Sequence, residues 1–167
     1  KDVRKSTKGV IKVEQREFAR RVTAAQGSLY RVAASYLRGE SDRLDAVAEA
    51  IARAWEKRRT LRDEALFTTW LTRILIRVCV DMQRRQKRMI PTDEVTDRPT
   101  EREHISALRE AIDSLPQKER TMIVLYYMEG YDVYEVAKLM GVTKGAVCAG
   151  LARAREKLRV YIEEDAQ

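Results

Sequence analysis

Residues 131–164 read YDVYEVAKLMGVTKGAVCAGLARAREKLRVYIEE, and they predict a short helix and a longer helix joined by a tight turn. Asp132 and Glu135 have the spacing of a capping box, which marks the start of a helix. Gly141 can adopt the left-handed backbone of a sharp corner, and Thr143 can cap the helix that follows. The stretch therefore has the plan of a helix-turn-helix, with a generic helical hairpin as the open alternative.

Upstream of this stretch, apolar residues recur at the three- and four-residue spacing of amphipathic helices. Ser41 or Asp42 can cap the second of these helices. Three helices with short turns between them can share one core, so this part of the chain is typical of a helical bundle. Its apolar stripes run from Phe18 to Tyr36, from Leu44 to Trp55 and from Phe67 to Met82.

Between the two parts, residues 89–103 read MIPTDEVTDRPTERE, which lacks helical periodicity and contains two prolines and five acidic residues. We interpret this segment as a flexible acidic linker. The predicted fold is therefore all-α, with two small helical domains joined by this linker: an N-terminal helical bundle and a C-terminal four-helix domain that carries the helix-turn-helix. The predicted bounds are 14–88 for the first domain, 89–103 for the linker and 104–163 for the second domain.

Charge is unevenly distributed along the 167 residues, whose net charge is +7. Residues 1–88 carry 22 Lys and Arg against 11 Asp and Glu, whereas the rest of the chain is net acidic. The first half is thus the better electrostatic match to a polyanion such as nucleic acid, and a solvated basic surface without a ligand is the alternative.

Composition disfavours several classes of function. The apolar runs are far shorter than the roughly 20 residues of a membrane span, so no membrane insertion is expected. The basic N-terminus is not followed by the apolar region of a signal peptide, so a cytoplasmic location is expected. Cys79, Cys148 and His104 cannot assemble a four-ligand zinc site. Because the acidic residues are dispersed, we predict no metal, no cofactor, no small-molecule substrate and no catalytic residue.

Three segments together resemble the extracytoplasmic-function (ECF) class of sigma factors, which program bacterial RNA polymerase. They are SDRLDAVAEAIARAW at 41–55, FTTWLTRILIRVCVDMQRRQKR at 67–88 and LREAIDSLPQKERTMIVLYYMEGYDVYEVAKLMGVTKGAVCAGLARAREKLR at 108–159. No single motif is decisive, but their order and spacing around an acidic linker are specific. The resemblance implies an alternative sigma factor that binds core RNA polymerase, directs it to promoter DNA and helps to melt the −10 element. It also implies an anti-sigma factor as a partner.

The resemblance further assigns contacts to each part of the chain. Single-strand capture needs cations and hydrogen-bonding groups, and the third helix and the loop before it supply them. The residues implied at the −10 element are Arg58, Arg59, Thr60, Arg62, Thr68, Arg73, Arg77, Arg84, Arg85, Lys87 and Arg88. The residues implied at the −35 element are Thr143, Lys144, Arg153, Arg155 and Lys157. The residues implied at the polymerase are Asp45, Ala48, Glu49, Arg53, Leu125 and Tyr126, the last two around an apolar groove.

The chain departs from the family pattern at two places. Ala48 replaces a usual Gln of the second helix. On the last helix, small uncharged residues replace a Lys, a hydroxyl residue and an Arg that family members commonly carry, so recognition of a −35 element is expected to be weak or unusual. Trp55 and Trp70 are predicted to pack in the core. The outward positions of the last helix include Gly145, Ala149, Ala152 and Glu156, with Cys148 at the side, and Gly150 is a further small residue of this bare helix.

Two other classes of function remain open. An autonomous helix-turn-helix regulator would bind duplex DNA without polymerase, but such proteins usually dimerise, and the sequence has no heptad repeat that would form a dimer seam. A nucleic-acid-modifying enzyme would need a metal or an acid/base cluster, which the sequence does not offer.

Overall fold

The computed structural model describes residues 14–89 and 107–165, with side chains for 14–88 and 108–161. All regular elements in these ranges are helical, which confirms the predicted all-α class. The interpretation of 89–103 as a flexible linker, like the prediction about His104, falls outside the described residues, apart from Met89 at a helix end. The helices are α1 (Gln15–Tyr36), α2 (Glu40–Lys57), α3 (Phe67–Met89), α4 (Ala107–Ser114), α5 (Gln117–Ile123), α6 (Val133–Met140) and α7 (Lys144–Asp165).

Helices α1, α2 and α3 pack against one another around a common core, which we call the first helical group. Leu29 of α1 and Leu71 and Leu75 of α3 are fully buried in it. α2 turns a row of small side chains inward, and small side chains let helix axes approach closely. This row consists of Ala46, Ala50 and Ala54, all fully buried.

Two details at the start of α2 correct the prediction. Leu44 is not in the buried stripe but is 54% exposed. It lies two positions from the first alanine of the buried row, which is about 200° around the helix axis. The helix begins one residue before Ser41, with Gly39 as its N-cap, so neither predicted residue caps it. The Asp42 carboxylate instead accepts a hydrogen bond from Gln86 of α3 at 3.0 Å.

Helices α4 to α7 form the second helical group, in which α6, the turn and α7 make the predicted helix-turn-helix. Asp132 and Glu135 complete the capping box, with hydrogen bonds of 2.8 and 3.0 Å between each side chain and the other residue's backbone N–H. Gly141 has a φ of +68° at the corner. Thr143 Oγ1 accepts a hydrogen bond of 3.2 Å from the first turn of α7. Val147 is fully buried in the angle between the two helices.

Between α5 and α6 the chain makes a π-helical turn, Val124–Met128, in which the Glu129 N–H donates to the carbonyl five residues earlier at 3.0 Å. A π turn adds a residue to the helical repeat and often occurs at functional segments. Gly130 follows with a φ of +72°, and the Tyr131 N–H returns to the Leu125 carbonyl at 3.0 Å. The chain thereby directs Tyr131 toward α3.

The two helical groups pack against each other. α1 contacts α5 and the π turn, α3 contacts α6, and the buried apolar residues of both groups form one continuous cluster. Amphipathic stripes predict which face of each helix is buried within a bundle. They do not tell whether the remaining faces of two bundles fit each other, so this contact had no signal in the sequence.

Candidate nucleic-acid interface

One face of α3 carries cations that reach solvent along the whole helix. Arg73 and Arg77 lie about one turn apart. Arg73 follows the buried Leu71 by two positions, and Arg77 follows the buried Leu75 by two positions, so both arginines point away from the core. The predicted exposure of this face is therefore confirmed. Aligned cations of this kind attract the phosphates of a nucleic-acid strand. The exposed cations of α3 are Arg73, Arg77, Arg84, Arg85, Lys87 and Arg88.

The loop between α2 and α3 is held at both ends by arginines. At its start, the Arg58 guanidinium lies 3.9 Å from the centroid of the Trp55 ring and donates to the Trp55 carbonyl at 2.7 Å. At its end, Arg21 of α1 donates to the Glu64 carbonyl at 2.9 Å and to its carboxylate at 2.5 Å. Arg58 is thus half-buried and committed to the protein. The other predicted residues of this region, Arg59, Thr60, Arg62 and Thr68, are exposed.

Both tryptophans are half-buried. The Trp55 ring meets Phe18 edge-on with centroids 5.1 Å apart, and the Trp70 ring lies 5.9 Å from Phe67. They pack against the core as predicted, but each keeps part of its surface in contact with solvent.

The outer face of α2 presents the residues that the sequence assigned to the polymerase. Asp45, Ala48 and Glu49 are exposed. Arg53 donates to the Glu49 carboxylate at 2.7 Å and lies 3.7 Å from the Asp81 carboxylate of α3. The hydrogen bond to Glu49 raises the pKa of Arg53, which therefore stays charged. This face thus combines carboxylates with a charged arginine that is already paired within the protein.

The outer face of α7 is nearly bare of charge, as predicted. At its N-terminus, Lys144 Nζ donates to the Tyr134 hydroxyl at 2.9 Å and lies 4.3 Å from the ring centroid. Tyr134 of α6 is 60% exposed and was not predicted to be part of the site. The only feature of the sequence that could have indicated Tyr134 is its position between Asp132 and Glu135 of the capping box. The other exposed residues of the face are Thr143, Gly145, Ala146, Cys148, Ala149, Ala152 and Arg155.

Two predicted −35 cations are bound to α5 through one buried carboxylate. Arg153 and Lys157 reach Glu119 at 2.9 and 2.8 Å, and they are 61% and 50% exposed while the Glu119 side chain is 9% exposed. Burial raises the pKa of Glu119, but the hydrogen bonds from Lys157 and Arg153 outweigh burial and lower this pKa below its ordinary value. Glu119 could not be identified from the sequence, because its partners lie 34 and 38 residues away.

Gly150 lies on the inner side of α7. It is buried, and a Cβ at this position would lie 2.3 Å from the sulfur of Met122 in α5. The glycine therefore permits the close crossing of α5 and α7. Gly145, in contrast, faces open space, since a Cβ there would meet nothing within 4 Å.

Leu125, one of the two residues around which the polymerase-binding groove was predicted, is fully buried, so its side chain does not reach the surface. Tyr126 is half-buried. The side chains that reach solvent in this segment are Tyr127 and Met128, which are 53% and 46% exposed. The π turn shifts the exposed side of the helix, and α-helical periodicity does not predict such a shift.

Neither thiol lies in a metal site. Cys79 is buried in α3, and burial raises the pKa of its thiol to about 12. Cys148 is exposed on α7. Residues 14–89 and 107–165 contain no group of His, Cys, Asp and Glu side chains that could hold a metal ion. No helix within the same ranges has the length and apolar character needed to cross a bilayer.

Two family models match the chain: Sigma-70 region 2 over residues 21–89 and Sigma-70, region 4 over residues 105–158. The RNA polymerase sigma factor SigV of Bacillus subtilis (strain 168) is 30% identical over 149 residues, which covers 86% of this chain and 90% of that protein. The ECF RNA polymerase sigma factor SigM of Mycobacterium tuberculosis is 33% identical over 135 residues, which covers 78% of this chain and 69% of that protein.

Solved structures support the fold. The sigma factor RpoE, in complex with the anti-sigma factor NepR from Bartonella quintana, matches with a TM-score of 0.74 at 19% identity, over 89% of this chain and 98% of that chain. CnrH, in complex with the cytosolic domain of CnrY, matches with a TM-score of 0.65 at 24% identity, over 91% of each chain. The two family models and the curated relatives extend the likeness from fold to function: the chain belongs to the sigma-70 family and is an alternative sigma factor of the ECF type, which directs RNA polymerase to promoters.

Proposed function

We propose that α3 and the loop before it hold the melted strand of the −10 element, while α7 binds the −35 duplex. The observation that supports this assignment best is the exposed cationic face of α3. Single-strand binding combines cations for the phosphates with surfaces on which bases rest. In this proposal, bond formation between nucleotides is assigned to the polymerase.

The loop between α2 and α3 adds a surface for an unstacked base. Leu66, 52% exposed, lies at the end of this loop. Apolar side chains of this kind insert between or against unstacked bases in many DNA-bending and DNA-opening proteins. Arg59 and Arg62 in the same loop are exposed and available for phosphates. The role of Arg58 is to position the loop, because its guanidinium is stacked on Trp55.

At the −35 element we assign the contacts to the N-terminal end of α7 and to its cations. Lys144 and Tyr134 form one exposed unit at the corner of the helix-turn-helix. Arg155 is exposed, and Arg153 and Lys157 keep half or more of their surface in solvent despite their bond to Glu119. Cations that have no base-reading side chain beside them are expected to contact phosphates. Phosphate contacts position a protein on DNA but read little of the DNA sequence. Recognition of this element is therefore proposed to be weak.

The polymerase is proposed to meet two surfaces. On α2, the exposed Leu44 adds an apolar group beside Asp45, Ala48 and Glu49. On the second helical group, the surface around Tyr126 is proposed to use Tyr127 and Met128, because Leu125 is buried. We further propose a cytoplasmic location and an anti-sigma partner, which is supported by the solved relatives RpoE and CnrH. The proposed domain bounds are 14–88 and 104–163, with 89–103 as the linker.

The test is transcription from a promoter by core polymerase with the added chain. A double variant, R73A/R77A, removes two cations from the α3 face. It is expected to reduce binding to single-stranded DNA of the −10 sequence at least tenfold and to make this binding less sensitive to salt, because fewer counterions are displaced. Initiation is expected to fall in parallel, while the affinity for core polymerase is retained.

The matched control is R16A/R20A, which removes the same charge from exposed positions of α1. It is expected to leave the salt dependence of single-strand binding unchanged. Equal losses in the two double variants would mean that net charge alone matters, and the assignment of α3 would be rejected. A chain that starts no transcription with any core polymerase supplied would remove the proposed function altogether.

A further inference from the structure

A groove of about 450 Å³ lies between α3 and α6. Side chains of α3 form one wall, and the end of α6 with the corner residue Gly141 forms the other. Pockets that hold small molecules have volumes of about 300–1,000 Å³. The groove is therefore large enough for a ligand of the size of a nucleotide.

Four cations line this groove, and they come from both walls. Arg73, Arg77 and Arg84 belong to α3, and Lys138 belongs to α6. With about 100° of rotation and about 1.5 Å of rise per residue, the three arginines fall within about 40° of one another around α3 and extend over about 16 Å of its axis. The cations thus follow the length of one wall, and a fourth lies on the other wall.

The charge of these cations is not neutralised within the described part of the chain. None of the four side chains forms an ion pair with another described residue. Asp81 supplies the one carboxylate that lines the groove, and Arg53 of α2 lies 3.7 Å from it and offsets its charge. Four cations beside one paired carboxylate attract a ligand that carries several negative charges.

The groove also has an apolar part. Ile76 and Leu139 are buried, and Val80 and Met140 are half-buried beside them. Apolar side chains with a small number of polar or charged groups are the usual lining of a small-molecule pocket. The ring of a nucleobase can cover such a surface, whereas an inorganic phosphate has no apolar part to bury there.

We infer that this groove binds a nucleoside polyphosphate, with its phosphate groups at the arginines and Lys138 and its base on the apolar side chains. Arginine and lysine both bind phosphate oxygens through charge-assisted hydrogen bonds. Several phosphate groups in a row match cations that are spread along a helix better than a single phosphate group does.

Arg73 and Arg77 belong both to this groove and to the surface proposed for the −10 strand. A nucleotide in the groove occupies these two arginines, so it competes with single-stranded DNA for them. The competition rests on the proposed function, whereas the nucleotide site itself rests on the groove alone.

The first test compares ligands that differ in their number of phosphate groups. Binding of ATP, AMP and inorganic tripolyphosphate to the full chain is measured by isothermal titration calorimetry at about 0.1 M salt. We expect ATP to bind at least about tenfold more tightly than AMP, because two further phosphate groups interact with the cations. Tripolyphosphate is expected to bind at least about threefold more weakly than ATP, because it lacks the base.

Two results would overturn the chemistry of the site. Equal affinities for ATP and AMP would contradict the role of the cations. Equal affinities for ATP and tripolyphosphate would contradict the role of the apolar side chains and leave a site for phosphate groups only.

The second test locates the site. K138A removes the cation of α6, which is not part of the surface proposed for the −10 strand. The matched control, K118A, removes an exposed lysine of α5 that does not line the groove. We expect K138A to weaken ATP binding about threefold, as for a partly exposed ion pair, and to leave the affinity for single-stranded DNA of the −10 sequence unchanged. K118A is expected to change neither affinity, and equal ATP affinities of the two variants would remove the site from this groove.

A competition experiment separates this inference from the proposed function. ATP is titrated into the chain bound to a fluorescent single strand of the −10 sequence. It is expected to displace the strand from the unaltered chain at a concentration about threefold lower than from K138A. If ATP and the strand bind together without displacement, the shared use of Arg73 and Arg77 is overturned. If R73A/R77A weakens the binding of ATP but not of the strand, the proposed −10 assignment fails and the nucleotide site stands.

Discussion

Thr72 of α3 and Tyr131, which precedes the helix-turn-helix, share a buried hydrogen bond with their hydroxyl oxygens 3.1 Å apart, although 59 residues separate them in the chain. Thr72 is fully buried and Tyr131 is 8% exposed. The bond fixes the start of α6 against the helix that carries the exposed cationic face. Because both hydroxyls are withdrawn from water, each hydroxyl depends on the other for a hydrogen bond in the folded chain.

Replacement of Thr72 tests this dependence. T72V keeps the shape of the side chain but leaves the Tyr131 hydroxyl buried without this partner. We expect the free energy of unfolding to fall by about 1–3 kcal/mol, as measured by urea denaturation. The control is T23V, since Thr23 Oγ1 bonds only the carbonyl of Ala19 on an exposed face of α1. Equal effects of the two variants would contradict a special role for the Thr72–Tyr131 bond.

Glu119 makes the stability of the second helical group dependent on pH. The pKa of Glu119 is lowered in the folded chain, so its bonds to Arg153 and Lys157 contribute fully at pH values above its ordinary pKa of 4.5. The contribution is lost as the pH falls through the lowered pKa, because the protonated carboxyl no longer holds the two cations. We expect E119Q to cost about 1–2 kcal/mol at pH 7 and the difference from the unaltered chain to shrink below pH ~4.

The matched control for E119Q is E156Q. Glu156 also pairs with a cation, Arg159, but both side chains are 62% exposed. Exposed pairs of this kind contribute little, so E156Q is expected to leave the denaturation midpoint unchanged at pH 7. The two variants are compared by urea denaturation from pH 7 down to about pH 2, which spans the lowered pKa of Glu119. A difference between E119Q and the unaltered chain that stays constant over this range would rule out the proposed linkage.

The two glycines of α7 are expected to respond in opposite directions to alanine. G145A adds a methyl group in open space within a helix and is expected to raise the free energy of unfolding by about 0.5–1 kcal/mol. G150A places a methyl group 2.3 Å from the sulfur of the buried Met122. We expect it to cost about 1–3 kcal/mol, because α5 and α7 must move apart or Met122 must repack. Thermal unfolding of both variants checks the signs, and a stabilised G150A would show that the crossing is loose.

The two cysteines are expected to differ sharply in reactivity. Cys148 is exposed, whereas Cys79 is buried with its pKa raised to about 12, so its reactive thiolate is scarce near neutral pH. With a thiol reagent such as DTNB, we expect one fast equivalent in the native chain and a second only after denaturation. C148S is expected to abolish the fast phase, and C79A the slow one. Rapid reaction of the C148S variant would contradict the burial of Cys79.

The sequence alone determined much of this protein, because the signals for helices are local. The capping box of Asp132 and Glu135, the left-handed Gly141 and the cap at Thr143 concern residues within a few positions of one another, and all three are present in the structure. The exposure of the α3 cations followed from helical periodicity. The resemblance to ECF sigma factors rested on the order of such local segments, and the family comparisons confirmed it.

Other features depended on which surfaces meet in three dimensions. The sequence could not predict that a π turn buries Leu125, that Gly150 fits against Met122, or that the two helical groups pack together. Glu119 bonds residues 34 and 38 positions away, and Arg31 bonds one 98 positions away. Helical periodicity determines which side of each helix is apolar. Only the tertiary structure decides which polar groups face each other across a junction, because that depends on the shapes of surfaces built from distant parts of the chain.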